Sequence, residues 1–162
     1  MNGQSPENGI LISIRTKYAR KILSGDKKVE VRRMFSKKWK SSKVTIYASG
    51  CERSLVGEAL IKDVIFDRPE NVWERFSDQI GCAKEEFDKY TISKNKVYAI
   101  VLEDAVPYQK SISIKEVSSL MKENLRPPQN YCNLNNNAKW AEAVSMGALL
   151  QGSFKASESI LL

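Results

Sequence analysis

Histidine is missing altogether from this 162-residue chain, and cysteine occurs only three times, at Cys51, Cys82 and Cys132. The cysteines are odd in number and far apart, with no Cys-x-x-Cys pair. Neither a disulfide framework nor a zinc site is suggested, and with imidazole absent a transition-metal site is not expected. No cofactor is implied. The chain also lacks a continuous apolar run of membrane-spanning length. Its first nine residues lack the basic-then-apolar order of a secretory signal. These absences lead to the expectation of a cytoplasmic protein with reduced thiols and no membrane partner. Internal repeats and an interdomain linker are missing as well. With 42% hydrophobic and 28% charged residues, one globular domain is expected, long enough to bury about 70% of the surface its unfolded chain exposes.

Acidic residues are scarce in one region. Between Arg15 and Lys43 stand twelve basic side chains (Arg15, Lys17, Arg20, Lys21, Lys27, Lys28, Arg32, Arg33, Lys37, Lys38, Lys40, Lys43) against Asp26 and Glu30, a net +10 in a chain of net +7. The rest therefore carries −3. Basic residues on solvated helix faces are common and serve solubility. Their clustering points instead to a polyanionic partner, usually nucleic acid, whose neutralised phosphates release counterions.

Ile10 to Ile14 reads as a first strand. A helix capped by Thr16 follows, with Tyr18, Ala19, Ile22 and Leu23 on its buried stripe and Gly25 ending it in a left-handed conformation. From Lys28 to Arg33 the pattern alternates, placing Val29 and Val31 on one face and Lys28, Glu30 and Arg32 on the other. Val44 to Ser49 and Leu55 to Phe66 read as further strands, the second with a bulge or bend at Gly57. Val97 to Leu102 is nearly all apolar and reads as a strand buried on both faces.

Between the last two strands, Pro69 opens one predicted helix and Ala83 to Tyr90 forms another. Ser113 to Lys122 has a capping box made by Ser113 and Glu116, and Arg126-Pro127-Pro128 cannot continue that helix. Asn135 to Asn137 reads as a loop and Ala138 to Leu150 as a helix. The last dozen residues are expected to be loosely packed or disordered. The domain boundaries expected are 1–9 flexible, 10–135 globular, and 136–162 a C-terminal extension. The fold class is α+β, a small and mostly antiparallel barrel with surrounding helices.

The most informative stretch is Gly25-Asp26-Lys27-Lys28-Val29-Glu30-Val31-Arg32. It matches Gly-x-Lys-x-x-Glu-x-Arg and resembles the signature of ASCH domains, a branch of the superfamily that includes the PUA RNA-binding domain. ILISIRTKYARKIL before it, and VTIYAS, LVGEALI, VYAIVL and RPPQNYC after it, resemble blocks of prokaryotic PUA-like proteins often labelled transcriptional regulators. The resemblance covers about residues 10 to 135. It implies a five- or six-stranded barrel with a cleft beside the motif where RNA is held. Some members of the family are enzymes, either ribonuclease-like or amidohydrolases acting on acetylated cytidine. In the deacetylating branch a threonine nucleophile occupies the position of Glu30, so this chain departs from it there.

Lys27, near the start of a strand, is expected to reach outward over the cleft to hold a phosphate or act as a base. Glu30 could activate water, in which case Lys27 and Glu30 are the catalytic pair. Alternatively Glu30 and Arg32, two apart on one strand face, form an ion pair that fixes the barrel mouth. Glu85 and Glu86 could supply a second carboxylate. The segment Arg32 to Lys40 interleaves basic and aromatic residues as phosphate and base contacts do. Phe35 in it fits better as core, and Trp39 remains open between stacking and packing. Tyr47 and Ser49 are expected to line the cleft, and Tyr131 fits packing against the barrel better than closing over a ligand. The expected nucleic-acid contacts are thus Arg15, Lys17, Lys27, Arg32, Arg33, Lys37, Lys38, Trp39, Lys40, Tyr47 and Ser49. The partner expected is RNA or another single strand, or a modified nucleoside, with a regulatory role for the protein.

Overall fold

The computed structural model describes residues 9–161, with side chains as far as Gln151. Six strands and five α-helices occur among these residues. They are β1 (Ile10–Arg15), α1 (Thr16–Ser24), β2 (Val29–Arg32), β3 (Lys43–Ser49), β4 (Ser54–Asp67), α2 (Pro69–Phe76), α3 (Lys84–Thr91), β5 (Val97–Ser113), α4 (Ile114–Met121), β6 (Tyr131–Asn133) and α5 (Ala138–Leu161). The strands form one curled sheet in the order β2-β5-β4-β3-β1-β6. Only β1 and β3 run parallel; every other pair is antiparallel. The architecture is the expected α+β PUA-like half-barrel.

Local chemistry explains most of the elements. Ala19, Ile22 and Leu23 bury one face of α1, and Gly25 closes it at φ 88°, where a residue with a Cβ is strained. Pro69 stands in the first turn of α2. The hydroxyl of Ser113 accepts the Glu116 N–H at 3.1 Å to cap α4. The β4 register shifts between Leu55 and Gly57, and a Cβ on Gly57 would lie 2.5 Å from the Val106 carbonyl oxygen. The bend there therefore requires glycine.

Alternation divides the interior into three packed groups. Inside the curl lie Ile12, Ile14, Phe35, Trp39, Ile46, Val64 and Ile100. Val29 and Val31, on the opposite face of β2 from Glu30, pack under α2 and α3 with Val72, Phe76 and Phe87. On the third side Leu11, Tyr47, Leu55 and Ile112 meet Trp140, Ala143 and Val144 of α5.

Several expectations are corrected. Thr16 does not cap α1: its hydroxyl donates to the Ser49 carbonyl at 2.9 Å and accepts the Glu52 N–H at 3.2 Å, tying the helix start to the β3–β4 turn. The strand beginning at Val97 runs on to Ser113 because β4 pairs with it almost throughout. The short β6 had no strand pattern of its own and exists by pairing with β1. α5 continues to Leu161, and its first half is built into the domain through Trp140 and Val144. Residues 1–8, expected to be flexible, lie outside the described residues. So do the side chains beyond Gln151, whose loose packing was expected. Among the described residues no helix is long and apolar enough to cross a membrane.

Candidate functional site

The two ends of the curled sheet approach each other, and the motif side chains bridge them. Glu30 and Arg32 face inward from β2. The Arg32 guanidinium gives Nε–H to Glu30 Oε2 at 2.9 Å, Nη1 to Asn130 Oδ1 at 2.8 Å and Nη2 to the Ser13 carbonyl of β1 at 2.8 Å. Asn130 is held in turn by the Met34 carbonyl at 3.0 Å and by the N–H of Ser13 at 3.0 Å. One planar fork thus joins β2, β1 and the segment after Pro128, a geometry that a lysine point charge could not reproduce.

Lys27 approaches Glu30 from the other side, with Nζ 3.2 Å from Oε1. Its ammonium also donates to the Val29 carbonyl at 2.8 Å and to the Ile80 carbonyl. All three of its donors have acceptors within the protein, and the side chain is only 4% exposed. The expectation that Lys27 reaches outward is therefore corrected. The cause is the loop between α2 and α3. Gln79 accepts the N–H groups of Lys28 and Val29 through its carbonyl, and Gly81, at φ +77°, lies against the lysine stem. A Cβ on Gly81 would stand 3.1 Å from Lys27 Cβ.

Burial alone pushes the Glu30 carboxyl up, but Arg32 and Lys27 outweigh it by charge and hydrogen bonds and hold it below its ordinary value of 4.5. A group depressed on folding contributes stability that is complete above its unfolded value and is lost as pH falls through the folded one. The melting-temperature gap between wild type and Glu30→Gln is accordingly expected to narrow below about pH 4.5. A gap unchanged from neutral pH into strong acid would refute this role for the ionised carboxylate.

Above this cluster opens a cleft of about 830 Å³. Its floor includes Ser13, Lys27, Glu30 and Arg32; its walls include Ile14, Tyr18, Ile80, Phe87 and Tyr90; Arg15, Arg33, Ser49, Glu85, Glu86, Lys89 and Gln129 surround it. Five basic residues, Arg15, Lys27, Arg32, Arg33 and Lys89, line it against three acidic ones, Glu30, Glu85 and Glu86, leaving a positive balance. Arg33 stacks on the Tyr90 ring at 4.9 Å. The Tyr18 hydroxyl donates to Glu86 across the cleft. Burial first, and then the Glu86 carboxylate, raise its pKa, so Tyr18 remains a donor. Burial likewise raises Cys82 in the wall, which keeps it a weak nucleophile.

Of the expected contacts, Arg15, Lys27, Arg32, Arg33 and Ser49 line this cleft. Lys17 is exposed beside it on α1, its ammonium 5.5 Å from the Tyr18 ring. Lys37, Lys38 and Lys40 are exposed but are not among the residues lining the cleft; Lys40 pairs with Asp63 at 3.5 Å. Two aromatic expectations are corrected. Trp39 is 1% exposed inside the curl and donates its indole N–H to Tyr131 at 3.2 Å, so no base can stack on it. Tyr47 is 2% exposed and packs on the side facing α5, because strand alternation turns it away from the cleft. Tyr131 packs against Phe35 with ring centroids 4.9 Å apart.

Ser13, Tyr18, Tyr90, Gln129 and Asn130 were not anticipated as site residues. Tyr18 had been placed on the buried stripe of its helix, and helical spacing could not separate a buried flank from a cleft wall. Among the described residues, no group of three or more His, Cys, Asp or Glu side chains is arranged to hold a metal ion.

Residues 7–123 match the family described as a domain of unknown function (DUF365). An ASCH domain-containing ribonuclease of Zymomonas mobilis is 26% identical over 120 residues, 74% of this chain and 80% of that one. The crystal structure of ASCH from Zymomonas mobilis superposes with a TM-score of 0.75 at 25% identity, over 85% of this chain and 94% of the other. A single-residue variant of that protein gives 0.76 at 24% identity, over 86% and 98% of the two chains.

Proposed function

The chain belongs to the family described as a domain of unknown function (DUF365), within the ASCH group of PUA-like folds, and from that premise we propose that it binds single-stranded RNA. The observation that carries this is the cleft of about 830 Å³ at the barrel seam, with Arg15, Arg33 and Lys89 about it, Arg32 in its floor and the rings of Tyr18 and Tyr90 in its walls. Its volume falls in the range of small-ligand sites, roughly 300–1,000 Å³. Cations meet a phosphate there and flat apolar walls meet a base, which suits an unpaired nucleotide better than one locked in a duplex. The net +10 of the Arg15 to Lys43 block extends the attraction beyond the cleft. The ribonuclease relative agrees with an RNA-related role.

Titrating a fluorescein-labelled single-stranded RNA while salt rises from about 50 to 200 mM is expected to give log affinity falling linearly with log salt, by about 0.7 for each phosphate contacted. A fully paired RNA of the same sequence is expected to bind more weakly. No binding at the lowest salt would end this proposal.

RNA cleavage is the second function to weigh, favoured by the name of the Zymomonas relative. Glu30 is then a positioning residue, since both its oxygens already face cations. Arg32 retains unused N–H capacity for a phosphate oxygen, and of the two exposed carboxylates lining the cleft, Glu85 and Glu86, Glu86 is the one that accepts from Tyr18. The same RNA, run on a denaturing gel after incubation with wild type and Glu86→Gln, separates cutting from binding alone. Deacetylation has no comparable support, because Glu30 stands where that branch needs a hydroxyl.

A further inference from the structure

Cross-strand register extends the cleft toward a second set of aromatic rings. Arg32 on β2 pairs with Tyr98 on β5, and Tyr98 pairs with Phe66 on β4. Directly paired residues project from the same face, so Arg32, Tyr98 and Phe66 form one row across three neighbouring strands. With strands about 4.8 Å apart, the Phe66 backbone lies about 10 Å from that of Arg32. The row therefore runs from the cleft floor outward over the open end of the curl.

The rings in this row are built as a platform. Phe66 and Tyr98 stack with centroids 4.4 Å apart and planes 19° from parallel. Tyr98 is anchored edge-on against Phe35 at 6.5 Å, and Phe35 against Tyr131 at 4.9 Å. Phe66 thus ends a chain of rings rooted in the core, yet it is 39% exposed. The exposed Lys96 ammonium lies 5.6 Å from its ring centroid. The nearby Asp67 carboxylate accepts from the Arg68 N–H and from Asn71, at the start of α2.

We propose that Phe66, stacked on Tyr98 and flanked by Lys96, is a second nucleobase-binding subsite, which takes the unpaired nucleotide adjacent to the one held in the cleft. This rests on the single-stranded RNA function proposed above. An anchored ring with an exposed part and an exposed ammonium beside it matches what sequence-tolerant strand binding needs: a stacking surface and a phosphate contact. Lys96 exchanges its contact with the ring for a phosphate and leaves the ring to the base. The chemistry selects no particular base, so the subsite adds affinity for strand length and for lack of pairing.

The test compares a mononucleotide with a single-stranded RNA oligomer, each titrated against the wild-type chain, Phe66→Ala, Phe66→Trp and Lys96→Gln. Stacking is worth about 1–3 kcal/mol per base. Phe66→Ala is therefore expected to weaken oligomer binding about 5- to 150-fold while leaving the mononucleotide's affinity unchanged. Phe66→Trp is expected to retain oligomer affinity, with the new indole quenched as the oligomer is added, and this readout serves if the alanine variant folds poorly. Lys96→Gln is expected to make the salt slope shallower by about 0.7. Wild-type oligomer affinity in Phe66→Ala, or an unquenched indole in Phe66→Trp, overturns the subsite while RNA binding itself stands. A wild type that binds no RNA at low salt overturns both.

Discussion

Replacing Glu30 by glutamine is expected to destabilise the fold by about 3–5 kcal/mol, a large share of the 5–15 kcal/mol typical of a domain this size. The reason is the number of buried charges left behind. Lys27 and Arg32, 4% and 13% exposed at their side chains, both pair with this carboxylate, their only acidic partner among the described residues. An amide offers neither of them a compensating charge, and its NH₂ group would face two donors. Replacing all three residues by apolar ones of similar volume, as in Lys27→Met, Glu30→Leu and Arg32→Met, is expected to recover part of the loss, because no charge remains to be desolvated. The recovery stays incomplete, since the Ser13 carbonyl and Asn130 lose the donors they now have. Urea denaturation of wild type, the single variant and the triple variant measures this directly. A single variant as stable as wild type would mean that the triad does not hold the seam.

The second large effect falls on binding rather than folding. Arg15→Gln with Arg33→Gln is expected to leave melting almost unchanged, because both side chains are exposed, and to weaken single-stranded RNA binding steeply. Removing two phosphate contacts lowers the salt slope by about 1.4, which corresponds to about a 65-fold loss at 50 mM salt and about tenfold at 200 mM. The diagnostic outcome is the shrinking ratio: a loss independent of salt would assign these arginines to shape or stacking rather than to phosphates. The same pair of titrations on Lys37→Gln with Lys38→Gln distinguishes the cleft from the remote part of the basic block. Those lysines do not line the cleft, so their effect is expected to be smaller.

Much of the architecture was legible because its causes are local. Val29 and Val31 alternate with Glu30 and Arg32, and the structure puts the two pairs on opposite faces of β2, as a period of two demands. Gly25, Pro69, Gly57 and the Ser113–Glu116 pair act within a few residues of themselves and behave as their chemistry predicts. The features that escaped depend on distant parts of the chain. β6 has three residues and no pattern; β1 supplies its partner. Lys27 turns inward because Gly81 and the carbonyl of Ile80, more than fifty positions away, close over it. Trp39 looks like a base-stacking residue in a basic segment and Tyr47 like a hydrogen-bonding group on the cleft face of its strand, but the local sequence does not say which way either ring turns. The acceptors that complete the Arg32 fork, Ser13 and Asn130, carry no recognisable signal beside the motif.

The span of that fork has a consequence for the order of folding. Asn130 lies 98 positions beyond Arg32, so the last hydrogen bonds of the seam close a very long loop, a slow kind of event in any chain. The strands β2 to β5 can pair before it forms, but the complete floor of the cleft cannot. A chain emerging from its N-terminus therefore has its whole basic block in place well before the cleft is finished. Its charges could attract a strand at that stage, but the complete site arrives only with the segment that follows Pro128, so a fully formed cleft marks a chain that has folded through that segment.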